Sequence, residues 1–230
     1  MLKYLLPLFV ITSANGLSAN ENLPLSAEEQ MALTPKQVLQ NLMEGNQRYV
    51  SGTITEPNIS ERIEASTRKQ YPQAVILSCL DSRVPVEKVF DQSIGDIFVG
   101  RNAGNVDNVD QLGSMEFATK VAGAKLVMVL GHESCGAVKG ACDHVELGNL
   151  TELLKKIKPA MEAVKGFTPE ERNSTNPKFV AAVVDANVRQ TVQDIREQSS
   201  ILAEMEEKGD IMIIGALYSL QDGSVRILEE

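Results

Sequence analysis

The chain has 230 residues, of which 43% are hydrophobic and 23% are charged. This composition is typical of a globular protein with a buried core, and it excludes collagen-like, low-complexity and disordered chains. The formal net charge is −9 at pH 7, and the 22 Lys and Arg residues are scattered along the chain. Because such a surface repels phosphate groups, we expect no nucleic acid and no anionic membrane surface as a partner.

The first residues have the three-part pattern of a signal peptide. Lys3 precedes an apolar run over residues 4–12, and small and polar residues follow. The pattern predicts a signal peptide over residues 1–19 that is cleaved near residues 16–20, so the mature protein is expected to be periplasmic or secreted and free of the membrane. An uncleaved membrane anchor is the alternative, although the apolar run is short for a bilayer span.

The remaining chain reads as a short lead-in followed by one domain. Residues 20–33 are mostly polar and predict a flexible lead-in, and residues 34–230 are expected to form a single domain. Thr34 and Pro35 are typical of a helix start, and apolar residues at helical spacing follow them, so we expect a helix near residues 35–50.

Four short apolar runs have the pattern of strands that are buried on both faces. They lie at residues 74–80, 96–100, 125–130 and 210–214. Stretches with helical spacing lie between them, at residues 113–121, 150–164 and 180–202. Strands that alternate with helices predict an α/β fold in which helices flank a mainly parallel central sheet.

The last segment carries a hairpin signal. Asp222 and Gly223 stand between two apolar segments, at residues 217–220 and 225–228. An Asp-Gly pair in this context favours a tight turn between antiparallel strands. The sequence therefore predicts an antiparallel edge strand at the carboxyl terminus.

Cysteine and histidine follow two of the predicted strands at their carboxyl ends. Cys79 lies at the carboxyl end of the run at residues 74–80, and His132 and Cys135 follow the run at residues 125–130. In open α/β sheets the loops beyond the carboxyl ends of neighbouring strands meet and form the functional site. Two thiolates and one imidazole suit Zn²⁺, and three protein ligands leave one tetrahedral position open for water. We therefore expect one zinc ion per chain, which generates a zinc-bound hydroxide.

Two charged residues follow Cys79 at the same strand end. Asp81 and Arg83 lie two positions apart, and an Arg side chain can hold a carboxylate through two hydrogen bonds. Asp81 held in this way can accept a hydrogen bond from the zinc-bound hydroxide, whereas a released Asp81 could become a fourth ligand in a closed state. Because two thiolates neutralise the metal charge, we expect activity to rise above pH 7.

These motifs resemble those of the β-class carbonic anhydrases, in an exported bacterial form. The resemblance rests on Cys79-x-Asp81-Ser82-Arg83 together with His132-x-x-Cys135-Gly136, and it extends from about Leu42 to the carboxyl end. It implies reversible hydration of CO₂ to bicarbonate, zinc on Cys79, His132 and Cys135, and Asp81 with Arg83 as the catalytic pair.

The resemblance also implies further substrate contacts and self-association. Gln70 stands where the family has a glutamine that binds substrate. Phe98 and Phe117 stand at aromatic positions that line the CO₂ pocket, which the family builds across a dimer interface. We therefore expect CO₂ and bicarbonate as ligands, and a homodimer or homotetramer as the assembly.

Two other functions stay open from the sequence. A closed structural zinc site could use four ligands from one segment, namely His132, Cys135, Cys142 and His144, and would have no activity. Alternatively, the same zinc centre could hydrolyse carbonyl sulfide or carbon disulfide, and the width of the pocket would decide between these substrates and CO₂.

Overall fold

The computed structural model describes residues 23–229. The predicted signal peptide therefore lies outside the described residues. Five strands form one sheet in the order β2-β1-β3-β4-β5. Their bounds are β1 (Ala74–Cys79), β2 (Ile97–Asn102), β3 (Leu126–His132), β4 (Met212–Tyr218) and β5 (Val225–Ile227).

The sheet confirms the predicted mixed topology. β1 pairs in parallel with both β2 and β3, and β3 pairs in parallel with β4. β5 is antiparallel to β4, and the turn at Asp222 and Gly223 joins them. The apolar runs at residues 210–214 and 217–220 form one continuous strand, β4, because Gly215 and Ala216 between them continue the pairing with β3.

Ten α-helices surround the sheet in the described part of the chain. They are α1 (Ala27–Ala32), α2 (Pro35–Ser51), α3 (Ile59–Ser66), α4 (Val86–Val89), α5 (Val109–Glu116), α6 (Gly136–Cys142), α7 (Gly148–Lys155), α8 (Lys158–Ala163), α9 (Pro177–Gln198) and α10 (Ser200–Glu207). Across residues 23–229, none of the helices has the length and apolar character needed to span a membrane.

Alternating strand residues build a core on each face of the sheet. Ile76 of β1 and Met128 of β3 face one way and pack with α2 and α4. Leu77 and Val127 face the other way and pack with α5, α9 and α10. Because both faces are covered, β1 and β3 are buried along their whole length, as the continuous apolar runs predict.

The amino-terminal segment corrects the expectation of a flexible lead-in over residues 20–33. Its second half contains the helix α1, whose first turn is closed by reciprocal hydrogen bonds between Ser26 and Glu29. Gln30 is buried, and its Nε2 donates to the carbonyl oxygens of Pro72 and Ala122, each at 2.8 Å. One amide that satisfies two carbonyl groups thus holds this short polar helix against the domain.

The longer helical predictions are confirmed with interruptions. The stretch at residues 180–202 is α9 followed by α10, because Ser199 leaves the helical conformation and its hydroxyl accepts a hydrogen bond from the Leu202 N–H. The stretch at residues 113–121 is the end of α5 and one π-helical turn. α6 was not predicted, although the third ligand residue stands directly before it.

Candidate metal centre and active site

Three side chains that can bind a metal ion meet at the carboxyl ends of the strands. Cys79 is the last residue of β1 and His132 is the last residue of β3, while Cys135 stands directly before α6. All three are buried, and their ligand atoms lie within 4.8 Å of one another. Among residues 23–229, this is the only group of three or more such residues that could hold a metal ion.

The imidazole of His132 is oriented for a ligand. Its Nδ1 lies 2.8 Å from the carbonyl oxygen of Glu133, and because a carbonyl only accepts, Nδ1 must donate. The lone pair is therefore on Nε2, which is buried and has no hydrogen-bond partner. A buried unpaired acceptor is costly unless something binds it, so this atom fits a metal.

The two thiols fit the same metal. Their sulfur atoms lie 3.9 Å apart. The hydrogen bond from the Cys135 thiol lowers the pKa of Cys79, and the same contact raises the pKa of Cys135. A divalent cation allows both sulfurs to ionise, because it compensates their negative charge. With two Cys and one His, the donor set is that of zinc with an open position.

The closed four-ligand alternative is wrong. Cys135 precedes α6 and Cys142 ends it, so the two cysteines are seven positions apart and lie about 10 Å from each other along the helix axis. His144 is exposed just beyond that end. The residue that joins His132 and Cys135 is instead Cys79, which β1 delivers from the neighbouring strand end.

Asp81 lies beside the three ligands and is held by Arg83. The guanidinium donates from Nε to Oδ1 at 2.9 Å and from Nη2 to Oδ2 at 2.8 Å, and the Arg83 backbone N–H donates to Oδ1 at 3.0 Å. These hydrogen bonds keep the pKa of the Asp81 carboxyl well below its usual value. Oδ2 of Asp81 lies 3.8 Å from Nε2 of His132, so an ionised carboxylate faces the metal position.

Arg101 ties the neighbouring strand to this loop. Its Nε donates to the carbonyl oxygen of Cys79 at 3.0 Å, and its Nη2 donates to the carbonyl oxygen of Asp81 at 2.7 Å. Both contacts are to backbone atoms. Arg101 therefore fixes the path of the loop between a ligand and the carboxylate.

The three residues expected to contact substrate lie away from the ligands of their own chain. Phe98 is paired with Val75, four residues before Cys79, which is about 13 Å along the strand. Phe117 packs edge-on against Phe98, with ring centroids 6.3 Å apart. Gln70 is exposed and precedes β1, so it lies near the amino end of that strand, whereas Cys79 lies at the carboxyl end. Their substrate role stays a prediction.

Two residues near Cys79 had no role predicted from the sequence. The backbone N–H of Gly104 donates to the Cys79 sulfur at 3.3 Å, and the Nδ2 of Asn187 donates to the Gly104 carbonyl oxygen at 2.8 Å. The sequence does single out Asn187, because this amide stands at one of the buried, mostly apolar positions of α9. Nothing in the sequence connects it to Gly104, which is 83 residues away.

The comparisons with known proteins agree with this site. A family model described as carbonic anhydrase matches residues 74–225. Carbonic anhydrase 2 of Mycobacterium tuberculosis is 36% identical over 188 residues, which are 79% of this chain and 87% of the relative. The chain belongs to the β-class carbonic anhydrases. The carbonic anhydrase of Mycolicibacterium smegmatis is also 36% identical, over 81% of this chain and 89% of that protein.

Solved structures show the same fold. The β-carbonic anhydrase CafA of Aspergillus fumigatus superposes with a TM-score of 0.64 at 22% identity, and the match covers 84% of this chain and 89% of that one. A tetrameric β-carbonic anhydrase of Sordaria macrospora has a TM-score of 0.63 at 18% identity, with 85% and 95% covered. The reaction of this β-carbonic anhydrase is the zinc-dependent hydration of CO₂ to bicarbonate.

The two histidines of the chain offer a matched test of the metal centre. We expect His132→Ala to lose most of its zinc on dialysis against a chelator, because it removes one of three protein ligands. His144→Ala should retain about one zinc per chain, since His144 is exposed and outside the cluster. Elemental analysis of both proteins measures this, and equal zinc in the two variants would contradict the ligand assignment.

Proposed function

We propose that CO₂ hydration takes place at the strand-end cluster, with Cys79, His132 and Cys135 as zinc ligands and with Asp81 and Arg83 as the catalytic pair. The observation that carries this assignment is the 3.8 Å separation between Oδ2 of Asp81 and the unpartnered Nε2 of His132. When bound, zinc supplies a Lewis acid that lowers the pKa of a water molecule to near neutrality.

Asp81 orients the reacting water. An ionised carboxylate only accepts hydrogen bonds, so a water molecule beside Oδ2 must direct one O–H group toward it. A lone pair of that water then faces away from the carboxylate and toward the approaching CO₂. The role of Asp81 is therefore to hold one proton of the reacting water at a defined place, so that the water is correctly oriented when CO₂ arrives.

Arg83 determines whether Asp81 can play this role. Both carboxylate oxygens accept hydrogen bonds from the guanidinium, which holds the side chain beside the ligand cluster as a neighbour of the metal position and not as a ligand. A released carboxylate would instead compete with water as a fourth ligand. Because the Arg83 side chain is 54% exposed, the pair can open without disturbing the core.

The function is tested by Asp81→Asn, which keeps the shape of the side chain and removes its charge. We expect CO₂ hydration to fall by about 100-fold or more, because the amide can donate to the water and no longer imposes one orientation. Stopped-flow hydration with a zinc determination on the same sample measures this. Asp210→Asn is the matched control, since Asp210 is exposed before β4. An Asp81→Asn enzyme with full zinc and full rate would refute the assignment.

Self-association is the second part of the proposal, and it would bring Phe98 and Phe117 to the site. β2 is an edge strand that pairs only with β1 in the described sheet. Beside it, Val109 is 80% exposed and Phe117 is 50% exposed, and both line a groove with Phe98. An open edge next to exposed apolar side chains favours a second copy as its partner. A subunit bound there would place its Phe98 and Phe117 near the neighbouring metal centre.

Replacing Val109 tests this surface. We expect the wild-type chain to form a dimer or tetramer and Val109→Lys to shift it toward monomers, because a buried ammonium group at the interface is unpaired. Light scattering coupled to size exclusion measures the mass. Leu147→Lys is the control, as Leu147 is 66% exposed directly before α7 and lies outside this surface. The proposed surface fails if Val109→Lys keeps the wild-type mass.

Export is the third part of the proposal, and residues 1–19 support it through their basic start, apolar run and small residues before the cleavage region. Expression of the full chain in a bacterial host should give a periplasmic protein whose mass corresponds to cleavage near residues 16–20. Fractionation and intact mass measurement test this. Cytoplasmic protein that retains Met1 would argue against export.

A further inference from the structure

A buried amide on α9 donates a hydrogen bond toward the metal centre. Asn187 is 2% exposed and lies among apolar residues of the helix, including Val183 and Val188. A buried amide is costly unless it is hydrogen-bonded. Its Nδ2 donates to the carbonyl oxygen of Gly104 at 2.8 Å, so the helix holds the backbone of the loop after β2.

Gly104 is the residue that touches the ligand sulfur. Its N–H donates to Cys79 Sγ at 3.3 Å. Its φ is +78°, and an added Cβ would lie 2.8 Å from the Cδ1 of Ile157 and 3.2 Å from the Cβ of Ala137. Glycine meets both constraints, but without a side chain it rotates freely about its backbone bonds. A separate contact is therefore needed to keep its N–H directed at the sulfur.

We infer that Asn187 is a positioning residue of the metal centre, which acts through the Gly104 backbone to hold an N–H donor on the Cys79 sulfur. This inference rests on the zinc centre described above. A hydrogen bond to a ligand sulfur reduces the negative charge that the sulfur gives to the metal, and partners of this kind orient the ligand. Asn187 touches neither substrate nor metal, so its effect is on the strength and electronic character of metal binding.

The test separates metal binding from fold stability. Unfolding is followed in urea for the zinc-loaded and the zinc-free protein, and the difference reports zinc affinity. We expect Asn187→Leu, which has the same branched shape and no donor, to bind zinc about tenfold more weakly. A tenfold change reduces the zinc-dependent stabilisation by about 1.4 kcal/mol.

Replacing zinc with cobalt gives a second measurement, the absorption spectrum of the metal centre. This spectrum should not change if Asn187 only contributes to packing. Loss of the N–H contact raises the energy of the sulfur lone pairs, so the thiolate-to-cobalt absorption band should shift to longer wavelength in Asn187→Leu. Val192→Ala is the matched control, because Val192 is buried five residues further along α9 and packs against β4. It should lower the stability of the zinc-free protein and leave zinc affinity and the cobalt band unchanged.

Asn187→Ser keeps the test decisive if Asn187→Leu does not fold, because serine is smaller and too short to reach Gly104. Weaker zinc binding and a shifted cobalt band in this variant support the inference. Wild-type zinc affinity and an unshifted band overturn it, and Asn187 is then a packing residue only. A wild-type protein without any zinc-dependent stabilisation overturns the zinc centre itself, which is a different result from an unaffected variant.

Discussion

The functional site depends on the parallel pairing of β1 with β3. Because the two strands run side by side in the same direction, the residues after both of them emerge at one edge of the sheet. Cys79 and His132 are the last residues of these strands, so two fully buried strands of the sheet place two of the three ligands. The third ligand, Cys135, follows three residues later, directly before α6.

Each polar group around the ligands has a separate role. The peptide oxygen of Glu133 sets the tautomer of His132, and the Gly104 N–H contacts one sulfur. Arg83 binds the carboxylate of Asp81, while Arg101 binds only backbone oxygens of the same loop. Two arginines that are close in space thus differ in role, because one acts on a side chain that faces the metal and the other acts on the path of the chain.

The sequence predicted the sheet well because strands buried on both faces are continuous apolar runs, and β1 and β3 are of this kind. It predicted α1 and α6 poorly, since both are short and their stability comes from contacts distant in the chain. Gln30, for example, reaches carbonyl groups 42 and 92 residues away. Phe98 and Phe117 do lie together, but a single chain does not place them beside Cys79.

The sequence by itself determined the metal chemistry of the site, because Cys and His at these spacings have few uses other than a zinc centre. It could not decide between Cys79 and Cys142 as the partner of His132 and Cys135 without the resemblance to a family. Only the tertiary structure settles this from geometry, since strand pairing brings Cys79 in while the length of α6 keeps Cys142 away. The link from Asn187 through Gly104 to Cys79 also depends on the tertiary structure. Each of its hydrogen bonds joins segments that are distant in the chain, and no sequence pattern predicts that these segments meet.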